Sequence, residues 1–288
     1  MAPSTLTPLS TLYRSKSGRE LPLTSRLTRL YGSLRMPLPR IGAHVFSNFV
    51  STVDGVVSLQ VKGHSAGGDI SGFNAEDRMV MGLLRAVADA VIVGSGTLAA
   101  DPRHFWTPEA ICPELAGDYR RLRSALSKSE PALNVVVSTS GDLDLRLPMF
   151  ASGRVPVLIV TSPAGEQRLL AQQPRAWVAI RSLRCPGRAL PPAAILDSVV
   201  RHSRGRRILL EGGPRLLGSF YRKRLIAEQF LTLAPQIAGR EPGDGRLGLV
   251  MGETFAPRSP RWGTLTDVRR GHSHLFLRYS FGKAKTGS

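Results

Sequence analysis

Short apolar runs alternate with helix-like stretches along most of the chain, and this alternation limits the possible folds more than any other feature of the sequence. The apolar runs are rich in β-branched residues, which is typical of buried strands, and the stretches between them have the spacing of amphipathic helices. We predict strands over 44–51, 90–94, 133–138, 155–161, 176–181, 206–211 and 227–234, and helices over 74–89, 113–128, 163–172, 191–203 and 214–224. Strands that alternate with helices in this way build an α/β fold around a mostly parallel sheet.

The C-terminal part of the chain has a different pattern. Polar and apolar residues alternate over 263–281, on both sides of an Arg-Gly-His turn. Such a pattern predicts an antiparallel hairpin at the edge of the sheet. The expected fold is therefore α/β, with a mixed, mostly parallel sheet that ends in a C-terminal antiparallel hairpin.

The length of the chain and its composition bound the domain organisation. With 288 residues, of which 42% are hydrophobic, the chain can bury a sizeable core. No break in composition marks a second domain, so we predict one domain over 41–282, followed by a short tail at 283–288. Residues 1–40 are predicted to form a basic arm or a partly ordered extension, and we expect that about the first 20 residues can be removed without loss of folding, because disorder concentrates at termini.

The charge balance and the cysteines argue against several kinds of partner and site. The formal net charge is +18, but the basic residues are spread out and aromatic residues make up 6%, which argues against a nucleic acid as the main partner. A phosphorylated small molecule and a dinucleotide would be attracted to the same charge. Cys112 and Cys185 are far apart, and His272 and His274 lack a third ligand, so no metal site is predicted. Because no membrane span or secretory signal is recognisable, we expect a cytoplasmic protein.

Two glycine-rich loops follow predicted strands. In "ILLEGGPRLL" (208–217), Gly212 and Gly213 separate an apolar run from a helix that begins at Pro214, where the missing N–H costs nothing. The loop "VGSGTLAADP" (93–102) has a similar position. In open α/β sheets, ligands bind beyond the carboxyl ends of the strands, where helix N-termini offer free N–H groups. Each loop on its own is equally consistent with a tight turn between a strand and a helix.

Four stretches of the sequence together carry a family resemblance. They are "NFVSTVDGVVS" (48–58), "LLRAVADAVIVGSGTLAADP" (83–102), "VVVSTSGDL" (135–143) and "LLEGGPRLLGSF" (209–220). In this order they resemble the C-terminal reductase domain of the riboflavin-biosynthesis deaminase/reductase. The resemblance implies a dihydrofolate reductase-like, three-layer αβα fold, usually as a homodimer, and NADPH-dependent reduction of a ribosylamino-pyrimidine phosphate. The H-x-E and P-C-x-x-C pattern of zinc deaminases is absent, so only the reduction is expected.

The resemblance also implies roles for individual residues. It places the cofactor against Thr97, Asp101, Ser138, Thr139 and the turn made by Gly212, Gly213, Pro214, Arg215, Leu216, Leu217, Gly218 and Ser219. It places the substrate against Arg85 and Glu211. The stretch "DPRHFWTPEAICPEL", which begins at Asp101, departs from the family, so either Arg103 or His104 is the candidate for the substrate phosphate.

Hydride transfer to an imine carbon requires two aligned ligands and a group that stabilises charge. Asp101 and Glu211 are the candidate catalytic carboxylates, because both are expected beside glycine turns at strand ends. Two alternatives stay open, namely that Asp101 caps a helix and that Glu211 forms a solvated salt bridge. Asp54, which precedes Gly55, is either part of a turn or a ligand contact.

Two other functions remain open at this stage. In the first alternative, the chain reduces another pterin- or pyrimidine-like compound. In the second, it is a non-catalytic cofactor-binding or basic interaction protein with the same fold. Oxidation of the cofactor on addition of substrate distinguishes the enzymes from the binding protein.

Overall fold

The computed structural model describes residues 6–37, 42–64, 67–187, 189–203 and 205–282, so the predicted tail and the predicted boundary at residue 41 lie outside the described residues. The strands are β1 (Ser10–Arg14), β2 (Arg19–Glu20), β3 (Arg35–Met36), β4 (His44–Thr52), β5 (Val56–Ser58), β6 (Ala90–Gly94), β7 (Leu133–Val137), β8 (Val157–Thr161), β9 (Val178–Ser182), β10 (Arg207–Leu210), β11 (Glu228–Ala234), β12 (Leu247–Gly248), β13 (Thr264–Gly271) and β14 (His274–Ser280). The helices are α1 (Ser25–Tyr31), α2 (Gly67–Ser71), α3 (Ala75–Val87), α4 (Ser95–Ala100), α5 (Pro108–Ile111), α6 (Ala116–Ala125), α7 (Pro148–Ala151), α8 (Pro163–Leu170), α9 (Pro192–His202) and α10 (Pro214–Arg222), with a 3-10 turn at Pro113–Leu115.

One large sheet organises these elements, in the order β1-β13-β14-β11-β4-β10-β6-β7-β8-β9. Every neighbouring pair from β11 to β9 is parallel. β14, β13 and β1 continue the sheet as antiparallel strands, and β13 with β14 forms the predicted hairpin. The predicted fold class, a mostly parallel mixed sheet with a C-terminal antiparallel hairpin, is confirmed.

Helices cover both faces of the sheet, and the strand residues alternate between two hydrophobic cores. In β6, Val91 and Val93 point into one core, which α3 and α6 cover, whereas Ala90 and Ile92 point into the other, which α9 and α10 cover. A strand that is buried on both faces must be apolar at nearly every position, which is why these strands appear as continuous apolar runs in the sequence. The result is the predicted three-layer αβα arrangement.

The N-terminal segment differs from the expected arm, because its described residues 6–37 pack on the sheet. β1 pairs with β13 as the last strand of the sheet, and α1 buries Leu27, Leu30 and Tyr31. Full burial of one side chain such as Leu27 contributes about 1.5–3 kcal/mol. The segment escaped prediction because α1 is only seven residues long and β1 is exposed along its length, so neither gives a clear periodic pattern.

Arg269 explains why the segment is held so closely. This side chain lies on β13, is completely buried, and stacks 4.1 Å from the centre of the Tyr31 ring. Its Nη2 donates to the Ser33 carbonyl at 2.9 Å, its Nη1 donates to the Tyr31 carbonyl, and its Nε lies 2.8 Å from Oδ1 of Asp267. A buried guanidinium requires such acceptors, and the N-terminal segment supplies two of them. Within the first 20 residues, Thr11 Oγ1 also accepts from Arg269 Nη1 at 3.0 Å, and β1 pairs with β13, so the prediction that these residues are dispensable conflicts with the packing.

Candidate active site

Two of the predicted loops meet at the carboxyl edge of the sheet. β10 and β6 are parallel neighbours, so the chain leaves both strands at the same edge. The Gly94 N–H donates to the Gly212 carbonyl at 3.1 Å, and the Glu211 N–H donates to the Ile92 carbonyl at 3.0 Å. β7 lies on the other side of β6, with Val137 opposite Gly94, so the loop that begins at Ser138 reaches the same edge.

Gly212 and Gly213, which are joined by a cis peptide bond, have different surroundings. A Cβ on Gly212 would lie 2.4 Å from Oγ1 of Thr97, so the protein itself requires glycine there. Gly213 has φ −93° and ψ −179°, values that any residue adopts, and a Cβ would approach nothing closer than Thr97 Oγ1 at 3.5 Å. The missing side chain of Gly213 therefore leaves open space at the start of α10, which no fold requirement explains.

The rest of the predicted cofactor turn is only partly accessible. Pro214 begins α10 and is buried, Leu217 lies in the core, and a Cβ on Gly218 would lie 2.7 Å from the Met251 carbonyl. Ser219 Oγ donates to the carbonyl of the partly buried Leu216. Of this turn, Arg215 is exposed and Gly213, Leu216 and Ser219 are partly buried, because a helix necessarily turns part of its first two turns towards the core.

Ser138 and Thr139 follow β7 directly. Ser138 is 2% exposed, and its hydroxyl has no hydrogen-bond partner among the described residues. Buried hydroxyl groups are normally paired, so an unpaired one at the carboxyl edge is available to a ligand or a water molecule. Thr139 is partly buried beside it.

Arg85 and Glu211 form a buried ion pair. Arg85 Nη2 donates to Glu211 Oε2 at 2.7 Å, and Arg85 Nε lies 3.1 and 3.0 Å from the two carboxylate oxygens. The side chains are only 1% and 3% exposed. The structure thus brings the two predicted substrate residues together, but Arg85 encloses the Glu211 carboxylate. Glu211 therefore forms a salt bridge, as in the alternative interpretation of the sequence, but this salt bridge is buried and not solvated.

The ion pair continues through a histidine towards Asp101. Arg85 Nη1 lies 2.7 Å from His104 Nε2, and His104 Nδ1 lies 3.5 Å from Asp101 Oδ2. The Asp101 side chain is 50% exposed and follows the C-terminal end of α4, so it does not cap the N-terminus of a helix. Burial raises the pKa of Asp101 and the positive charge of Arg85 opposes this rise.

The protonation state of His104 bears on whether Arg103 or His104 is the better candidate to bind the substrate phosphate. Burial, together with the adjacent charge of Arg85, lowers the pKa of His104 to about 3. The ring is therefore neutral at physiological pH and offers a phosphate no positive charge. Arg103 is exposed and always charged, so it remains the candidate of the two.

Asp77 is a buried acid that the sequence analysis missed as a candidate. It was visible there only as a residue of the predicted helix over 74–89, and Asn74 Oδ1 accepts a hydrogen bond from its N–H at 2.8 Å. Its carboxyl group is fully buried, which raises its pKa, and the negative charge of Glu211 raises the pKa further, whereas a hydrogen bond with Thr232 lowers it. No local sequence signal distinguishes such an acid from an exposed residue of a first turn.

Asp54 has a structural role. Its carboxylate accepts hydrogen bonds from Thr52 Oγ1 at 2.5 Å and from the N–H groups of Ala238 and Gly239 at 3.1 and 2.8 Å. These bonds lower the pKa of Asp54 to about 2. Of the two interpretations, the turn is supported: Asp54 ties the loop after β4 to the loop after β11.

Metal ligands do not gather anywhere in the described part of the chain. His274 Nε2 lies 3.0 Å from the Ser71 carbonyl, while His272 Nε2 lies 3.7 Å from the carboxylate of Glu76, so the two histidines have separate partners. Among the described helices, none is long and apolar enough to cross a membrane.

Comparison with known proteins places this site in a family. A family model described as the RibD C-terminal domain matches residues 43–251. A sequence search among curated proteins found no match.

Solved structures with a similar fold include a pyrimidine reductase-like protein from Corynebacterium diphtheriae, with a TM-score of 0.68 and 19% identity, over 91% of this chain and 100% of that chain. A riboflavin biosynthesis reductase from Saccharomyces cerevisiae has a TM-score of 0.57 and 15% identity, over 86% and 93%. A deaminase/reductase from Thermotoga maritima has a TM-score of 0.59 and 17% identity, over 84% of this chain but only 57% of that chain. At these identities the structural likeness shows the fold alone.

The family model covers well over half of the chain and includes all the predicted site residues. Its members are riboflavin-biosynthesis reductases with a dihydrofolate reductase-like fold, and such reductases use a nicotinamide cofactor. The chain therefore belongs to the RibD C-terminal domain family of oxidoreductases.

Proposed function

We propose that this chain reduces a ribosylamino-pyrimidine phosphate with NADPH, by hydride transfer to the ring-opened imine carbon. The observation that carries the proposal is the open space at Gly213, which adjoins Thr97 and the half-exposed Asp101. A Cβ on Gly213 would lie 3.5 Å from Thr97 Oγ1, and the Thr97 carbonyl accepts a hydrogen bond from the Asp101 N–H at 3.3 Å. Thr97 thus adjoins both the proposed cofactor site at Gly213 and the backbone of Asp101, which supports the proposal.

The residues at the carboxyl edge fit a dinucleotide. Gly213 caps α10 without a side-chain hydrogen bond, so a pyrophosphate can reach the first N–H groups of this helix. Ser138 offers an unpaired hydroxyl, and nothing within 4 Å would meet a Cβ on Gly96. When bound, a dihydronicotinamide supplies the hydride. Because the chain is strongly basic, we expect a charge contact with the additional phosphate of NADPH that is worth about 1.5–3 kcal/mol.

The substrate side of the proposal rests on Asp101 and Arg103. The Asp101 carboxylate is open enough to accept an N–H from a cationic imine and to hold its positive charge next to the cofactor. Arg103 is exposed two residues further on and is proposed to bind the phosphate. The Arg85–Glu211 pair stabilises the loop that follows Asp101, because Arg85 also donates to the Thr107 carbonyl at 3.3 Å.

The proposal is tested by two measurements on the purified protein. Titrations that follow cofactor fluorescence are expected to show about 10- to 150-fold tighter binding of NADPH than of NADH, which corresponds to the charge contact above. Addition of the ribosylamino-pyrimidine phosphate is then expected to oxidise NADPH. Equal affinities at moderate salt would refute the cofactor preference.

The outcome with other compounds decides between the alternatives. Oxidation with only a different pyrimidine or a pterin would replace the proposed substrate, a possibility that the unusual stretch after Asp101 favours. Cofactor binding without any oxidation would indicate a non-catalytic protein. We also propose a cytoplasmic homodimer, which light scattering after size exclusion tests by its mass.

A further inference from the structure

His104 lies between the buried Arg85–Glu211 ion pair and the half-exposed carboxylate of Asp101. On one side it contacts Arg85, which Glu211 holds through three nitrogen–oxygen contacts, and on the other side its Nδ1 faces the carboxylate of Asp101. The ring packs edge-on against Trp106, with 5.1 Å between the ring centres. Its position is therefore fixed by packing as well as by hydrogen bonds.

The chemistry of arginine determines the tautomer of His104. A guanidinium group only donates hydrogen bonds, so His104 Nε2, which lies 2.7 Å from Arg85 Nη1, must be the acceptor. The remaining proton of the neutral ring is then on Nδ1, the atom that lies 3.5 Å from Asp101 Oδ2. This distance is long for a hydrogen bond, so a full bond requires the half-exposed Asp101 side chain to move closer to His104.

We infer that His104 is a positioning residue, which takes its orientation from Arg85 through Nε2 and holds the Asp101 carboxylate towards the substrate through Nδ1–H. The inference deepens the proposed function and rests on it for the role of Asp101. The charged group that faces Asp101 from α3 is Arg85, and Glu211 at the end of β10 neutralises part of that charge. His104 adds a neutral donor that favours the ionised form of Asp101.

Two variants separate the two hydrogen bonds of His104. In His104→Asn, the amide nitrogen takes about the place of Nδ1, so the donor to Asp101 is kept and the acceptor for Arg85 is lost. In His104→Gln, the amide oxygen can accept from Arg85, but no donor reaches Asp101. His272→Gln, a change of an exposed histidine, is the matched control.

The first readout does not depend on turnover. A carbon-13 NMR titration of the Asp101 carboxyl group is expected to show a higher pKa in His104→Gln than in the parent, and the parent value in His104→Asn and His272→Gln. The inference is wrong if the Asp101 pKa in His104→Gln equals that of the parent, or if it changes equally in both His104 variants. The His104 ring would then serve only in packing.

The second readout is the pH dependence of kcat/KM. We expect the acid limb of His104→Gln to move to higher pH together with the Asp101 titration, and its plateau to fall about ten- to a hundredfold because the carboxylate is no longer held in place. An unmoved acid limb would contradict the inference. If no pyrimidine or pterin causes oxidation of NADPH by the parent while the NMR difference is present, the proposed function fails and the contact between His104 and Asp101 stands.

Discussion

Replacing Glu211 with glutamine should damage the fold more than the chemistry. If Glu211 were the catalytic carboxylate that the sequence suggested, Glu211→Gln would leave cofactor affinity within a few fold and lower turnover about ten- to a thousandfold. In the structure, however, this carboxylate is 3% exposed and neutralises the buried Arg85. Removal of one partner from a buried pair leaves an uncompensated charge and typically costs about 3–5 kcal/mol. At about 2–4 °C per kcal/mol for a chain of this size, the melting temperature should fall by roughly 6–20 °C.

Three further variants make this prediction specific, with stability measured by denaturant unfolding and calorimetry. Arg85→Met should cost a similar amount of unfolding free energy, because it leaves the carboxylate buried and unpaired. The double variant Arg85→Met/Glu211→Leu should recover most of the loss, since apolar side chains of similar volume replace buried ion pairs at little or no cost. Asp101→Asn should change the unfolding free energy by less than about 0.5 kcal/mol, because this side chain is half exposed. If Glu211→Gln melts with the parent protein, or if the double variant is no more stable than the single ones, the ion pair does not support the fold as argued.

Other predictions concern the glycine turn and the N-terminal segment. Gly213→Ala should leave the melting temperature nearly unchanged and weaken NADPH binding. Gly212→Ala should lower the melting temperature, because its Cβ would lie 2.4 Å from a threonine oxygen. Equal binding of NADPH by Gly213→Ala and the parent would show that Gly213 serves only the turn. Arg269→Met should cost about 3–5 kcal/mol through the unpaired aspartate it leaves, while Arg270→Met, an exposed neighbour on the same strand, should be nearly silent in urea unfolding. Deletion of residues 1–20, which removes a strand of the main sheet, should also lower the urea midpoint, and an unchanged midpoint would restore the expected dispensable arm.

The sequence by itself determined the central architecture, because its signals are local. Strands buried on both faces must be apolar throughout, so the apolar runs of β6, β7 and β10 can be recognised in the sequence. The alternating pattern of the β13–β14 hairpin can be recognised there as well. The sequence also placed each glycine loop at the end of a strand, but the two loops meet because β6 and β10 are neighbours, and this strand order is known only from the structure.

Only the tertiary structure decided how polar groups are paired, because the partners are far apart in sequence. Arg85 and Glu211 are 126 residues apart, so their ion pair leaves no local pattern, and neither does the burial that makes His104 neutral. The same reason explains the N-terminal segment: its short strand and helix have weak periodicity and are stabilised by contacts with β13, including the carbonyl groups that receive Arg269. A sequence shows which segments can form strands and helices, but the free energy of a buried charge depends on what surrounds it, which the folded chain alone provides.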